Sequence, residues 1–355
     1  MCRTFRDGGV DADVRTTRTN GQGAHAVGVD TATTVDVVEA LPIRRRVFMV
    51  AGKMHADEVE LDVPLVRGLI GTQFPQWTDL PLEPVASSGT DNAMYRLGPD
   101  MAVRLPRIPG AALQVSKEQQ WLPRLAPLLP LPVPEPLGKG VPGAAYPWHW
   151  SVYRWLGGEN AERVADPRRT AADLAAFITA LRSVDADGGP LPGDHNFFRG
   201  VPLADRDVAT RAAIAALEAE TGPGRIDTEA VTAVWDTALR APAWSRPAVW
   251  IHGDLSSGNL LFRQDRLSGV IDFGGLGVGD PACDLLPAWE IFSAEHRGAF
   301  RDALAVDTAT WQRGRGWALS VALIQLPYYR HRNPPLAARS RHVIGEVLAD
   351  HGSGA

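Results

Sequence analysis

The 355 residues are 45% hydrophobic and 22% charged, ordinary globular proportions, enough for a sizeable core and about two subdomains. Net charge is −5, with no Lys/Arg stripe interleaved with aromatics, which argues against a nucleic-acid partner. No apolar run reaches the roughly 18 residues of a membrane span, and Cys2 and Cys283 are too few and too far apart for a disulfide framework, so a reducing cytoplasm is the expected setting.

Residues 1 to 53 are rich in Gly, Thr, Asp and Arg and hold no sustained period. They read as a disordered extension, or as a start assigned upstream of Met54 or Met49. The basic-then-apolar run LPIRRRVFMVAGK is too short and too late for a secretory signal. From Met54 a folded pattern begins. Val63, Val66, Leu69 and Ile70 recur at helical spacing. Leu82 to Ala86, a Ser/Gly/Asp/Asn turn and Ala93 to Leu97 read as strand, turn, strand, and MAVRLPR as a third strand. A helix is expected around ALQVSKEQQWL, kinked or stopped near Pro123. PLLPLPVPEPLGKG is Pro-rich and extended, and WHWSVYRWLGG is an aromatic strand ending in Gly-Gly.

The rest is helical with one β insertion. TAADLAAFITALRSV opens with a Thr170/Asp173 capping box and places Leu174, Phe177, Ile178 and Leu181 on one face. DVATRAAIAALEAE is a further helix. AVWI, NLLF and LSGVIDF are short strands, the last two joined by the polar turn RQDRLS. DPACDLLPAW begins a helix with Asp280 as N-cap and Pro281 at its first position. Helices continue to about Leu348. The halves join near residues 153 to 158.

Chemistry concentrates between His252 and Phe273. His252-Gly-Asp254 precedes Asn259 by five residues, and Asp272 follows in IDFGG. The NLLF/GVIDF hairpin would bring Asn259 and Asp272 to one end. One carboxylate and one amide oxygen, completed by water and substrate phosphates, suit Mg2+. Asp254 would then orient or deprotonate an attacking hydroxyl, the set that phosphoryl transfer requires.

HGDLSSGNLL…VIDFGG…GDPACDL resembles the aminoglycoside phosphotransferase family, within the kinase-like superfamily. The catalytic loop there runs His-x-Asp-x4-Asn, and the metal-binding Asp opens Asp-Phe-Gly. The resemblance spans roughly residues 60 to 350. It implies an α+β, bilobal protein-kinase-like fold: a small β-rich nucleotide-binding N-lobe over 54 to 153, and a larger helical catalytic and substrate-binding C-lobe over 154 to 355. Asp254 and His252 form the implied catalytic set, although His252 reads more naturally as a loop brace than as a base. Asn259 and Asp272 are the implied metal ligands. Asp284 either braces the catalytic loop or is merely exposed.

The nucleotide side departs from the family pattern. Ser87, Ser88, Gly89, Thr90 and Asp91 occupy the place of the Gly-rich phosphate loop with a single glycine, and a plain hairpin turn is the competing reading. Arg104 stands where the kinase pattern has lysine, in a chain with only Lys53, Lys117 and Lys139. Glu118 fits its ion-pair partner. The rival cation is Lys117, but adjacent helix residues point about 100° apart, so both would not face the cleft and Lys117 is expected to matter little. SVYRWL resembles the hinge, where the backbone of Tyr153 to Trp155 would bind the purine. DHNFFRGVPL and RGRGWALSVAL resemble segments that carry substrate selectivity in relatives; structural packing is their alternative.

The implied function is transfer of the γ-phosphoryl of ATP or GTP to a hydroxyl of a small molecule. The acceptor would be an antibiotic such as an aminoglycoside or macrolide, or a hydroxylated metabolite such as choline or homoserine. No nucleic-acid or membrane partner is expected, and the chain would act as a monomer or homodimer. The alternative is a nucleotide- or ligand-binding pseudokinase without turnover, for which the Lys-to-Arg departure is the argument. A protein kinase is disfavoured, since Ala-Pro-Glu is missing and no room for an activation loop follows Asp-Phe-Gly. Residues 151 to 355 carry 25 Asp+Glu against 21 Arg, a balance that gives a polycationic acceptor little support.

Overall fold

The computed structural model describes residues 59, 61–85, 91–143, 146–160, 164–219 and 224–353. The expectation for residues 1 to 53, and the turn residues Ser87, Ser88, Gly89 and Thr90, lie outside them.

The first helix, α1 (Val63–Gln73), starts where the Asp62 carboxylate accepts the Leu65 N–H at 2.8 Å, and it buries Val66, Leu69 and Ile70 as the spacing predicts. Strands β1 (Leu82–Pro84), β2 (Asn92–Leu97) and β3 (Met101–Pro106) follow. Helix α2 (Pro109–Leu125) runs two residues past Pro123 rather than stopping there, as a proline near a helix end costs few intrahelical bonds. Strands β4 (Pro136–Gly140) and β5 (Trp150–Arg154) complete a five-stranded antiparallel sheet of order β1-β2-β3-β5-β4. Val103, Leu105, Trp150 and Val152 pack its inner face on α1. Gly140 is required beneath Trp150, because a Cβ there would lie 2.0 Å from the indole.

The helical half opens with α3 (Pro167–Ser183), α4 (Asp207–Glu218) and α5 (Thr228–Arg240). Helix α3 begins earlier than expected. Asp166, not Thr170, is the N-cap, accepting the Arg169 N–H at 3.0 Å, because an Asp-Pro pair sets the first turn better than the downstream box. Thr170 is instead buried in that turn. The short strand β6 (Val249–Ile251) pairs with β9 (Gly277–Gly279), and β7 (Leu260–Arg263) with β8 (Arg266–Val270). The β7–β8 turn is tighter than RQDRLS suggests. Gln264 and Asp265 alone make it, with φ of 49° and 61°, the left-handed pair that a two-residue hairpin demands.

Asp280 caps as expected, accepting the Ala282 N–H at 3.0 Å, but residues Pro281–Leu285 are a 3-10 turn, with helix α6 (Pro287–Glu290) after it. Helices α7 (Ala294–Leu304), α8 (Thr308–Tyr329) and α9 (Pro334–Ser353) close the chain. Helix α8 is buried on most sides. Its glycines let neighbours touch its backbone: a Cβ on Gly314 would meet Leu285 at 2.6 Å, and one on Gly316 would meet Leu203 at 2.6 Å. This close packing outweighs the roughly 0.5–1 kcal/mol that each helical glycine costs. Trp121, near the end of α2, meets Trp250 of β6 with ring centroids 4.7 Å apart, so α2 starts behind the sheet and ends in the helical core. No helix among the described residues is long and apolar enough to cross a membrane.

Arg313 on α8 pairs with Asp280 at 2.7 Å, both side chains 4% exposed, and also donates to the Pro242 carbonyl at 2.7 Å. Removing one partner leaves a charge buried alone, so Arg313→Met is expected to lower stability by about 3–5 kcal/mol, read as a reduced midpoint in urea unfolding.

Candidate functional site: a cleft between the sheet and the helical half

The loop after β6 is set by its glycine. Gly253 has φ of 82°, and a Cβ on it would lie 2.4 Å from the Gly275 carbonyl oxygen. Only glycine lets this loop touch the segment after Asp272 so closely, which gives His-Gly-Asp a steric reason. The Asp284 carboxylate braces the loop, accepting the N–H groups of His252 at 2.9 Å and Gly253 at 2.7 Å.

His252, placed beside Asp254 in the expected catalytic set, does not share its position. It is fully buried. Its Nδ1 accepts the Asp254 N–H at 3.2 Å, and Nε2 is 3.1 Å from the Ile271 carbonyl. Both ring nitrogens are thus engaged by backbone groups, the geometry of a loop brace.

Asp254, Asn259 and Asp272 all line one cleft of about 970 Å³. Asn259 Nδ2 donates to the Asp254 carbonyl at 2.8 Å and to its carboxylate at 2.9 Å, which turns the amide oxygen away from Asp254. The Asn259 carbonyl accepts the Ile271 N–H at 2.9 Å, so the hairpin does set Asn259 beside Asp272. Asp272 adopts φ of 61° and its side chain is 41% exposed. An aspartate tolerates that left-handed backbone where most residues would be strained. Burial pushes the Asp254 carboxyl up; Arg199 opposes the shift and Asp272 adds to it.

On the sheet side, Arg104 of β3 reaches both oxygens of Glu118 on α2 at 2.6 and 2.8 Å, and Asp272 at 2.8 Å. Burial works against its charge, but Glu118 and Asp272 outweigh that, and the guanidinium is held firmly protonated. The Tyr153 hydroxyl also donates to Glu118. Lys117 points elsewhere, as the helical geometry requires, yet it is not idle. Its ammonium donates to the carbonyls of Gly274 at 2.7 Å and His195 at 3.0 Å. Burial lowers its pKa to about 7, with the Arg104 charge acting in the same direction.

At the expected hinge, the Arg154 N–H donates to the Glu135 carbonyl and the Trp155 N–H to the Asp100 carbonyl, at 2.8 and 2.7 Å, so these two donors are committed within and beside the sheet. Trp155 and Asp91 do line the cleft, with Arg96 stacked 4.0 Å over the Trp155 ring.

Several site residues escaped the sequence reading. Asn160 donates to the carbonyls of Gly258 and Leu260 at 2.8 and 2.9 Å, and Glu290 accepts the Ser257 N–H and hydroxyl, each at 2.8 Å. Arg199, 3.8 Å from the Asp254 carboxylate, and Arg206 also line the cleft. Arg199 lies inside DHNFFRGVPL, the segment whose resemblance pointed to substrate selectivity without marking this residue.

The fold is the bilobal, kinase-like one that the motif order implies. Among solved structures, the GDP and kanamycin complex of APH(2")-IIia has a TM-score of 0.63 at 21% identity, covering 81% of this chain and 99% of that one. The GDP complex of wild-type aminoglycoside 2'-phosphotransferase-IIIa scores 0.64 at 19% identity, covering 82% and 100%. Macrolide 2'-phosphotransferase MphH from Brachybacterium faecium, as apoenzyme, scores 0.53 at 21% identity, covering 78% and 97%. At these identities the likeness is one of fold. No curated protein matches the sequence. The model of the phosphotransferase enzyme family, APH, matches residues 83–317, a stretch that runs from the first strand of the sheet into α8, and on that match the chain belongs to the phosphotransferase enzyme family.

Proposed function

We propose that this phosphotransferase moves the γ-phosphoryl group of ATP or GTP to a hydroxyl of a small molecule. Residues 54 to 153 would hold the nucleotide, and residues 154 to 355 would carry the catalytic loop and the acceptor. The observation that carries the reading is the convergence of Asp254, Asn259 and Asp272 on one cleft, facing the Arg104–Glu118 pair. The solved relatives bound to GDP and kanamycin, and the macrolide enzyme, suggest antibiotics among the acceptor classes, beside hydroxylated metabolites. The expected setting is cytoplasmic.

Asp254 sits where it can accept the hydroxyl proton, and its raised pKa makes it a better base than an exposed carboxylate. The acceptor oxygen bonds to the γ-phosphorus as the bond to the β–γ bridging oxygen breaks. The proton passes to Asp254 and the electron pair leaves with the nucleoside diphosphate. Asn259 and Asp272 would hold Mg2+. The outward amide oxygen and the partly exposed carboxylate fit a hard cation that keeps water and phosphate in its shell. Bound there, the cation would neutralise charge on the phosphates. Arg104 would reach a phosphate by turning the arm it now spends on Asp272 while keeping its grip on Glu118.

A second reading, nucleotide binding without turnover, draws on the 2.8 Å contact of Arg104 with Asp272, since a guanidinium already neutralises that carboxylate. Magnesium-dependent transfer to a panel of hydroxyl acceptors separates the two: none at all, with nucleotide bound, would favour the silent protein.

The following outcomes are expected. Asp254→Asn lowers kcat by at least roughly 100-fold, as loss of a general base does, with nucleotide Kd nearly unchanged by calorimetry. Asp272→Asn, chosen because asparagine accepts the left-handed backbone, loses the magnesium dependence with it. Arg104→Ala raises the nucleotide KM and lowers kcat, while Arg104→Lys keeps part of both. Lys117→Met instead strands two buried carbonyls and costs about 1–3 kcal/mol of stability in thermal unfolding. The pH profile supplies the last. Transfer needs Asp254 unprotonated, so activity falls as pH drops through a pKa above the usual carboxylate range. Arg199 opposes that rise, so Arg199→Gln moves the acid limb to higher pH; an unmoved limb would separate Asp254 from the limb.

A further inference from the structure

The cleft extends well beyond the phosphoryl-transfer groups. On the helical side it is walled by apolar residues of α8 and α9, among them Val321, Ile324, Leu336 and Val343, with Tyr328 at the rim. Its cations are unevenly matched. Arg104 is hydrogen-bonded to Glu118 and Asp272, and Arg154 to Glu135 at 2.6 Å, whereas Arg339 and Arg199 stand off at 3.7 Å from Glu290 and 3.8 Å from Asp254. Arg206 meets no carboxylate among the described residues.

Arg206 stands at the start of α4 with its guanidinium 4.5 Å above the Trp317 ring, and its Nε donates to the Ser320 hydroxyl at 2.9 Å. Among the described residues no carboxylate meets its terminal amino groups. Arg199 lies 3.8 Å from Asp254, too far for a hydrogen bond, and its buried Nε has no partner. Burial, with the Arg199 charge acting in the same direction, lowers the pKa of Arg206 to about 9. Each guanidinium keeps its terminal amino groups as a planar fork of donors that fits an oxyanion. Two repelling, under-bonded cations beside a catalytic carboxylate are stabilised by a negative group between them. A polycationic acceptor would meet the same pair as a penalty.

Resting on the phosphotransfer reading, we infer that the acceptor is an amphiphilic alcohol bearing an oxyanion, carboxylate or phosphoryl, held by Arg199 and Arg206 while its apolar body lies against α8 and α9. The anion would fix the substrate end-on, so that a nearby hydroxyl faces Asp254. Arg199, through its approach to Asp254, orients both groups. Arg206 reads the anion alone and sets specificity.

The test uses four matched probes on the full chain: mandelate, its methyl ester, the phosphoryl analogue α-hydroxybenzylphosphonate, and the cationic phenylethanolamine. Calorimetric binding is expected to rank at least one anion roughly tenfold to a hundredfold above the ester, the scale of a charge-assisted hydrogen bond, with the amine weakest. The stronger of the two anions identifies carboxylate or phosphoryl as the source. Arg206→Gln, which can still reach Ser320, should collapse the anion-to-ester ratio. Equal binding of acid and ester, tightest binding of the amine, or no anion binding at millimolar concentration overturns the inference. So does an unchanged ratio in a folded Arg206→Gln protein, which would reduce Arg206 to packing on Trp317. Should the variant fail to fold, the wild-type ranking decides alone. Phosphoryl transfer to the bound probes is scored separately. The ranking with no transfer to these probes or to any alcohol of the acceptor panel would sink the phosphotransfer reading and leave the anion site standing.

Discussion

Arg104 joins three parts of the chain that are remote in sequence. It belongs to β3, its fork grips Glu118 on α2, and its other arm reaches Asp272 after β8. With Tyr153 of β5 also bonded to Glu118, one buried carboxylate ties two strands to the helix, and the same guanidinium ties them to the helical half. Breaking such a set by removing one member leaves the others charged in a poor dielectric, which is why buried ionic groups act all or none. The cleft is therefore a consequence of this network as much as of the sheet and helices that wall it.

Much of the cleft was legible because its groups are close together in sequence. Asp254, Asn259 and Asp272 lie within one loop and one hairpin, so spacing alone brings them together. The Arg104–Glu118 pair was implied by the resemblance to the kinase pattern, in which a strand cation meets a carboxylate on the next helix. What stayed hidden depends on long-range contact. Asn160 and Glu290 hold the loop at Ser257 and Gly258 from opposite directions along the chain, and no local pattern marks them. The Thr170 box looked like a helix start because its residue types fit, yet Asp166-Pro167 sits earlier and wins. Lys117 was read as idle because it could not share Arg104's direction. A buried ammonium facing two carbonyls is the other outcome of that same geometry.

The hinge illustrates a different limit. Sequence resemblance located the strand correctly over Trp150–Arg154, but which N–H groups face outward is decided by neighbours. The N–H groups of Arg154 and Trp155 are taken by Glu135 and Asp100, and no residue type announces that. The two-residue turn at Gln264 and Asp265 shows the same principle, since neither residue is glycine and the left-handed backbone is imposed by the register of β7 on β8.

The Trp121–Trp250 contact couples the sheet-bearing block to the helical block through two indoles 4.7 Å apart and inclined at 61°. Rings that close exchange excitation and give paired bands in circular dichroism. Their sign and strength follow the angle between the transition moments. Together with the Trp289–Trp311 pair at 4.8 Å, the Trp121–Trp250 contact gives the molecule a built-in optical goniometer: a change in the angle between α2 and β6 would alter the bands, with no label attached.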